Sequence, residues 1–356
     1  MLGVDARAAR ITWTVAVVVL ALALVYLARR TLFVFALALF LSYMIAPLVR
    51  RIDHFRARGK RRSVSVIAAF AVVLAVLTVA VVLIGPPVAD QASALSDQLP
   101  AMLERLRNGT PLPLPGWLES WREPLTRMLH QGVEGAAGSA IPVTRRVIVG
   151  LGGIASDALY VVLIPILAFI MLADGPALQR GVVHWLAPMG REETLVPMLA
   201  EVHEALGRYV RALGLLSLIT FVVYSLVFSL LGVPYAVVLA AVSAVLEFIP
   251  VIGPLVAAVA TLVVAGVGGF AHLLWIVAFF AAYRVFQDYI LSPRLMSGGA
   301  GVHPMLVIFG FLAGDEIAGI PGMFLSVPIL ATAVIVIRYQ SARRAAQRST
   351  NARSIT

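Results

Sequence analysis

Residues 235–268 form the stretch that decides the fold, with the sequence YAVVLAAVSAVLEFIPVIGPLVAAVATLVVAGVG. This apolar stretch is longer than the roughly 20 residues that one helical membrane span needs. Glu247 and the segment 248–254 interrupt it, and the prolines of that segment remove backbone donors and clash with the preceding turn. We therefore expect the helix to break there, and either a kinked continuous helix or a re-entrant hairpin satisfies the pattern.

The whole chain has the composition of a membrane protein. Of its 356 residues, 61% are hydrophobic, 13% are charged and none is cysteine. A soluble domain has about 45–50% apolar and about 25% charged residues. The excess argues against a soluble enzyme, a disordered protein and a disulfide scaffold, because a soluble globule of this size needs a mostly polar exterior. We predict an all-α, polytopic transmembrane bundle of about eight spans, two of them broken or re-entrant, with amphipathic helices outside the membrane. The expected spans are 11–28, 32–49, 64–84, 147–173, 210–232, 235–268, 271–291 and 304–337.

Two basic clusters indicate how the chain is oriented. Residues 50–62 carry seven basic side chains against the single acid Asp53, and the segment after residue 337 carries five arginines and no acid. Short loops rich in Lys and Arg stay in the cytoplasm, so both clusters and both termini are expected on that side. A basic patch can also bind nucleic acid. Here the clusters adjoin apolar runs, where contacts with anionic lipids occur, and no nucleic-acid partner is expected.

The polar stretches divide the chain into five units. The third span is expected to end at Gly85-Pro86-Pro87, and Leu95 and Met102 belong to a helical face just beyond it. A second amphipathic face follows at 117–128, and these helices pack either on the bundle, on a sister subunit or at the membrane surface. The expected units are 1–87, an amino-terminal three-span unit; 88–146, an extracytoplasmic helical insertion; 147–209, the fourth span with a cytoplasmic amphipathic helix; 210–338, a transport core; and 339–356, a basic tail.

Ionisable residues within the last apolar runs are the candidate site. Such groups are costly in lipid and usually face a bundle interior or a water-filled cavity. Glu247 precedes a helix break, where freed carbonyls and helix ends bind ions or polar substrates in many transporters; the alternative is a solvated glutamate at a helix end. Arg284 and Asp288 are four residues apart and can pair with each other on one helix face. The expected substrate or ion pathway comprises Glu247, Pro250, Gly253, Arg284, Gln287, Asp288, Asp315 and Glu316.

The sequence has no HExxH, no GxxxxGK[ST] and no GxSxG motif, so neither an enzyme nor an ATP-driven pump is indicated. No catalytic residue, metal site or cofactor is expected. Transport by this chain would therefore be passive or driven by an ion gradient.

Several motifs are similar to those of the autoinducer-2 exporter (AI-2E) family of bacterial membrane proteins. They are Glu247-Phe248-Ile249-Pro250-x-Ile252-Gly253-Pro254, Pro293-Arg294-x-Met296, His303-Pro304, Leu172-x-Asp174-Gly175 and Gly232-x-Pro234-Tyr235. The resemblance implies a multi-pass, oligomeric transporter of the bacterial inner membrane with an outward-facing insertion. Gln287-Asp288 stands where the family tends to have Glu-Asn, and Arg284 where a glutamine is common.

For a chain with a membrane protein's composition, the resemblance implies a secondary transporter or exporter of a small polar, quorum-signal-like molecule. The alternatives are a sodium/proton antiporter, a passive channel and a non-transporting membrane scaffold. The expected partners are the lipid bilayer, a small polar substrate or cation, and further copies of the chain in a homo-oligomer.

Overall fold

The computed structural model describes residues 6–55, 62–107, 158–186, 192–249, 252–295 and 303–353, and no strand occurs in these ranges. The all-α class is therefore confirmed. The helices are α1 (Ala6–Leu27), α2 (Arg29–Phe55), α3 (Arg62–Arg107), α4 (Ala158–Ala173), α5 (Gly175–Leu186), α6 (Glu192–Leu231), α7 (Ala236–Leu246), α8 (Ile252–Val267), α9 (Leu273–Phe286), α10 (Pro304–Ala318) and α11 (Ile320–Arg353). Helix α9 continues through a π-helical turn, Gln287–Leu291, and one more turn, Ser292–Leu295.

Five of the described helices are long and apolar enough to cross a membrane: α2, α3, α6, α11, and α9 with its extension. Helices α4 and α5 are bent by 82° relative to each other and count as a sixth span only if they are taken as one. The apolar part of α1 and helices α7 and α8 are shorter than a full span. The described residues thus account for five or six spans, and the expected total of about eight is not confirmed.

Helix α3 continues beyond the expected end of the third span. It runs through Pro86 and Pro87 as far as Arg107, so the span and the helical face beyond it form one continuous helix. Each proline removes one backbone hydrogen bond, whereas the continuation buries apolar side chains. Leu95 and Met102 lie in the main hydrophobic core, so this face packs on the bundle of its own chain. The second predicted face, at 117–128, lies outside the described residues.

Helices α7 and α8 form an antiparallel hairpin, which we call hairpin 1. At its tip, a Cβ added to Gly253 would lie only 1.8 Å from the carbonyl oxygen of Leu246. At its base, a Cβ added to Gly268 would lie 3.1 Å from Pro234 Cγ. The start of α7 and the end of α8 therefore meet, and the hairpin alternative is the correct one. Helices of 11 and 16 residues are about 16 and 24 Å long, shorter than the roughly 30 Å of a hydrocarbon core.

Helices α10 and α11 form a second antiparallel hairpin, hairpin 2. A Cβ added to Gly314 would lie 2.5 Å from the carbonyl oxygen of Gly322, and one added to Gly310 would lie 2.5 Å from Leu330 Cδ1. The tip is Gly319, whose φ of 63° and ψ of −143° suit glycine, which has no Cβ to clash. The segment 304–337 therefore also turns back on itself.

Helix α6 provides the frame for both hairpins. Its first half pairs with the end of α11 through an ion pair between Arg338 and Glu201. Its last residue, Leu231, lies next to the base of hairpin 1. We call the end of the bundle near Arg50, Arg211 and Arg338 the basic end. The opposite end, near Leu231 and the base of hairpin 1, is the far end. From Arg211 to Leu231 the helix rises about 30 Å, the thickness of a hydrocarbon core.

Candidate functional site

The tip of hairpin 1 buries a carboxyl group. Glu247 ends helix α7, has only 7% of its surface exposed, and donates its backbone N–H to the Ser243 carbonyl at 3.0 Å. The alternative interpretation, a solvated glutamate at a helix end, therefore does not hold for this structure. The tight turn at the tip requires glycine at position 253, since any side chain there would overlap the Leu246 carbonyl. Pro250, also predicted for the site, lies outside the described residues.

The partner of this carboxyl is an uncharged amide. Gln287 is 4% exposed, and its Nε2 donates a hydrogen bond to Glu247 Oε1. Gln287 opens the π-helical turn that follows α9. Such single-turn π segments are frequent at functional sites because the wider turn changes the direction in which side chains point.

A third element, helix α6, completes the pocket around Glu247. The Thr220 side chain lies beside the Glu247 carboxyl, and its hydroxyl is 2.9 Å from the hydroxyl of Tyr283. Ser217, one helical turn earlier, donates to the Ala244 carbonyl at 2.7 Å and ties α6 to α7. Three segments distant in sequence therefore meet at one carboxyl group.

The position along α6 gives the depth of the site. Thr220 is nine residues from Arg211 and eleven from Leu231, or about 13 and 16 Å along the helix axis. Glu247 beside it is thus near the middle of the stretch from Arg211 to Leu231, which is as long as a hydrocarbon core is thick. An ionisable group at the middle of a membrane is costly, which makes Glu247 a candidate functional group.

Arg284 and Asp288 pair with each other, as their spacing predicts. Arg284 Nε is 2.8 Å from Asp288 Oδ2, and both side chains are 44% exposed. They flank Gln287 in sequence. Their charges influence Glu247 electrostatically, without a hydrogen bond to its carboxyl group. The buried pair Glu247–Gln287 and the half-exposed pair Arg284–Asp288 are thus adjacent and distinct.

Asp315 and Glu316 lie on the other hairpin. Both are exposed, and Glu316 lines a cavity of about 810 Å³ together with Arg29 and Arg30. The structure therefore does not bring these acids to Glu247. The two hairpins do touch through the rings of Phe248 and Phe324, whose centroids are 5.7 Å apart.

Sequence reasoning missed Thr220, Tyr224 and Tyr283. Tyr224 stacks edge-on against Tyr283 with centroids 4.9 Å apart, and Phe228 and Phe279 extend the aromatic cluster. A signal was present in the sequence, since Thr220 and Tyr224, and likewise Tyr283 and Gln287, are four residues apart and share a helix face. Polar groups at such spacing inside apolar helices mark an interior face.

This arrangement suits reversible binding of a proton, a cation or a polar hydroxyl. A carboxyl group next to a neutral amide has no fixed countercharge, so a bound cation or donor can satisfy it. Among the described residues, no group of three or more histidine, aspartate and glutamate side chains is placed to hold a metal ion.

The chain is similar in sequence to several known proteins. The sequence profile described as "AI-2E family transporter" matches residues 15–341. "Putative transport protein YrrI" of Bacillus subtilis (strain 168) is 26% identical over 313 residues, which are 88% of this chain and 87% of that protein. "Putative transport protein YhhT" of Escherichia coli (strain K12) is 27% identical, over 84% of this chain and 82% of its own. "AI-2 transport protein TqsA" of the same strain is 25% identical, over 83% and 82% of the two chains.

Proposed function

Because the chain belongs to the AI-2E family of transporters, we propose that it is a secondary transporter that exports a small polar molecule across the bacterial cytoplasmic membrane. Membrane transport itself follows from the family. The name of the relative TqsA, an AI-2 transport protein, supports a quorum-signal-like cargo. The absence of nucleotide-binding motifs from the sequence supports an ion gradient as the source of energy.

One observation carries the proposal: a carboxyl group buried at mid-depth, at the tip of a helical hairpin, whose bonded partner is uncharged. A merely structural acid at this depth would be expected to pair with a cation, because an isolated charge in a dry interior is strongly unfavourable. Arg284 is close enough to serve, yet it pairs with Asp288 instead. Glu247 thus remains available for a ligand.

In the proposed mechanism, hairpin 1 alternately exposes its tip to the two sides of the membrane. Glu247 and Gln287 bind the cargo or the coupling ion, and Thr220 and Tyr283 provide hydroxyl groups. The Arg284–Asp288 pair determines the electrostatic charge at the edge of this site. Broken helices at mid-membrane commonly bind substrates in this way. Asp315 and Glu316 would act separately, at the tip of hairpin 2.

The proposed orientation places the basic end in the cytoplasm, with both termini on that side of the bacterial inner membrane. The segment 210–338 would be the transport core, 88–146 an outward insertion, and 339–356 a cytoplasmic tail. A homo-oligomer is also proposed, because the half-exposed Arg284–Asp288 pair needs cover from lipid.

The test is a flux assay in proteoliposomes with the variant Glu247→Gln. It should lower gradient-driven flux at least tenfold, because a neutral amide cannot exchange a proton and has no negative charge to hold a cation. Glu104→Gln is the matched control, since Glu104 is an exposed glutamate on α3, and it should leave flux unchanged. Equal flux and equal pH dependence for Glu247→Gln and the wild type would contradict the site assignment. Flux that depends on the cargo gradient alone, and on no ion gradient, would indicate a passive channel.

A further inference from the structure

A second cavity lies at the basic end, away from Glu247. Its volume is about 540 Å³, within the range of small-ligand sites, and helices α2, α4, α5 and α6 surround it. The side formed by α4 and α5, which we call the apolar wall, includes Met171, Leu172, Leu178 and Val182. The side formed by α2 and α6, which we call the polar wall, carries Ser42, Tyr43, Arg50 and His203 among apolar side chains.

Arg50 lines this cavity, and Arg211 lies near Arg50 without lining the cavity itself. Arg211 folds back along α6, so that its Nη1 would be 2.9 Å from a Cβ placed on Gly207, where Tyr43 also packs. Arg50 lines the cavity, and the positive charges of both arginines act on His203 and on each other. Among the described residues, neither arginine forms an ion pair.

The nearby acids offset only part of this charge. Glu204 pairs with Arg208, four residues further along α6, and its charge also acts on Arg211. Asp53, on α2, lines the cavity, so two carboxylates stand against the three arginines Arg50, Arg208 and Arg211. Two like charges left side by side are unfavourable unless an anion joins them, and guanidinium groups are well suited to binding phosphate in a bidentate manner.

The polar wall is held in place by one hydrogen bond. The Tyr43 hydroxyl is 3.0 Å from His203 Nδ1, and the two rings are 4.9 Å apart. Tyr43 is only 6% exposed, so it anchors the imidazole against the cavity. The wall therefore presents a histidine, a tyrosine and one arginine, and the charge of Arg211 acts on the same histidine.

Helix α5 has the features of a helix at the membrane surface. It turns by 82° away from α4, and Leu178, Val182 and Trp185 remain exposed on it. A short amphipathic helix that turns away from a span in this way lies in the plane of the interface, with its apolar side chains in the acyl region. The cavity is then open to lipid between its apolar and polar walls.

We propose that this cavity binds an anionic phospholipid, with the phosphate group at Arg50, within reach of the charge of Arg211, and the first part of an acyl chain along Met171, Leu172 and Leu178. Apolar side chains next to arginine charge match an amphiphile better than a fully soluble anion. Bound lipid would hold α5 against α2 and α6.

The test is a lipid titration of delipidated protein in detergent, followed by native mass spectrometry with phosphatidylglycerol as the probe. Each arginine at the membrane surface contributes enough to change affinity about fivefold, so the double variant Arg50→Gln, Arg211→Gln should bind about 30-fold more weakly. Arg51→Gln is the matched control, because Arg51 is exposed, neighbours Arg50 and does not line the cavity.

Two further arms separate the sources of the phosphate. Phosphatidylethanolamine should bind weakly and respond little to the variants, because its headgroup carries no net charge. Glycerol 3-phosphate should not compete at concentrations where the lipid saturates the site. Overturning results would be equal lipid binding by the double variant and the control, or binding of glycerol 3-phosphate as strong as that of the lipid. If the double variant does not fold, Arg50→Gln alone should still show the fivefold loss.

Discussion

The substitution Gly253→Ala tests the geometry of hairpin 1 most directly. An alanine Cβ at this position would lie 1.8 Å from the Leu246 carbonyl oxygen and 2.7 Å from its carbon. These are backbone atoms, so no rotamer change can relieve the overlap. The two helices of the hairpin must separate by more than 1 Å at the tip to restore ordinary contact, about 3.4 Å.

The energetic cost follows from that displacement. Overpacking a well-packed interior costs about 1–3 kcal/mol, and a rigid backbone neighbour places this site at the upper end, about 3 kcal/mol. With an unfolding entropy of about 2.1 cal/mol/K per residue, a chain of 356 residues should melt about 4 °C lower. Because the same tip carries Glu247, gradient-driven flux should fall as well.

The assay is thermal unfolding of purified protein in detergent, paired with flux in proteoliposomes. Gly85→Ala is the matched control, since a Cβ there would meet only Val81 Cγ1 at 3.6 Å, inside helix α3. Alanine is a better helix former than glycine by about 1 kcal/mol, so this control should melt at the same temperature or slightly higher. Should Gly253→Ala melt within 1 °C of the wild type and keep its flux, the close approach of Gly253 to Leu246 is wrong.

Two further predictions concern glutamines that join distant segments, with Gln98→Leu as the control for both because Gln98 is exposed. Gln287→Leu leaves the buried Glu247 carboxyl without its amide donor. We therefore expect flux per amount of reconstituted protein to fall at least tenfold. Flux equal to that of Gln98→Leu would refute a role for the amide. Gln91→Leu removes the side-chain oxygen that accepts from the Val237 and Val238 N–H groups at 3.0 and 3.3 Å. Losing this cap should cost about 1 kcal/mol and lower the melting temperature by about 1–2 °C. An unchanged melting curve would show that water replaces the cap.

Much of the fold follows from local chemistry in the sequence. Apolar run length predicts helices of membrane-spanning size, and the proline-rich segment after Glu247 predicts the end of α7. The pairing of Arg284 with Asp288 follows from their spacing on one helix. Each of these features depends on residues within a few turns of one another, and sequence spacing specifies such contacts.

The continuity of α3 through Pro86 and Pro87 could not be predicted from local sequence. Two prolines after Gly85 disfavour a helix locally, but Leu95 and Met102 pack against helices that follow much later in the chain. The burial of those side chains outweighs the lost backbone hydrogen bonds. A local signal thus fails where tertiary packing supplies the larger energy.

By itself, the sequence determined that the chain is helical, lies in a membrane, and breaks its helix after Glu247, because backbone donors and apolar lengths set these outcomes locally. The direction of the chain after each break was decided only by tertiary structure, through glycines whose missing Cβ atoms let two backbones touch. The partners of Glu247 were decided in the same way, since Thr220 and Gln287 reach it only once α6, α7 and α9 have packed together.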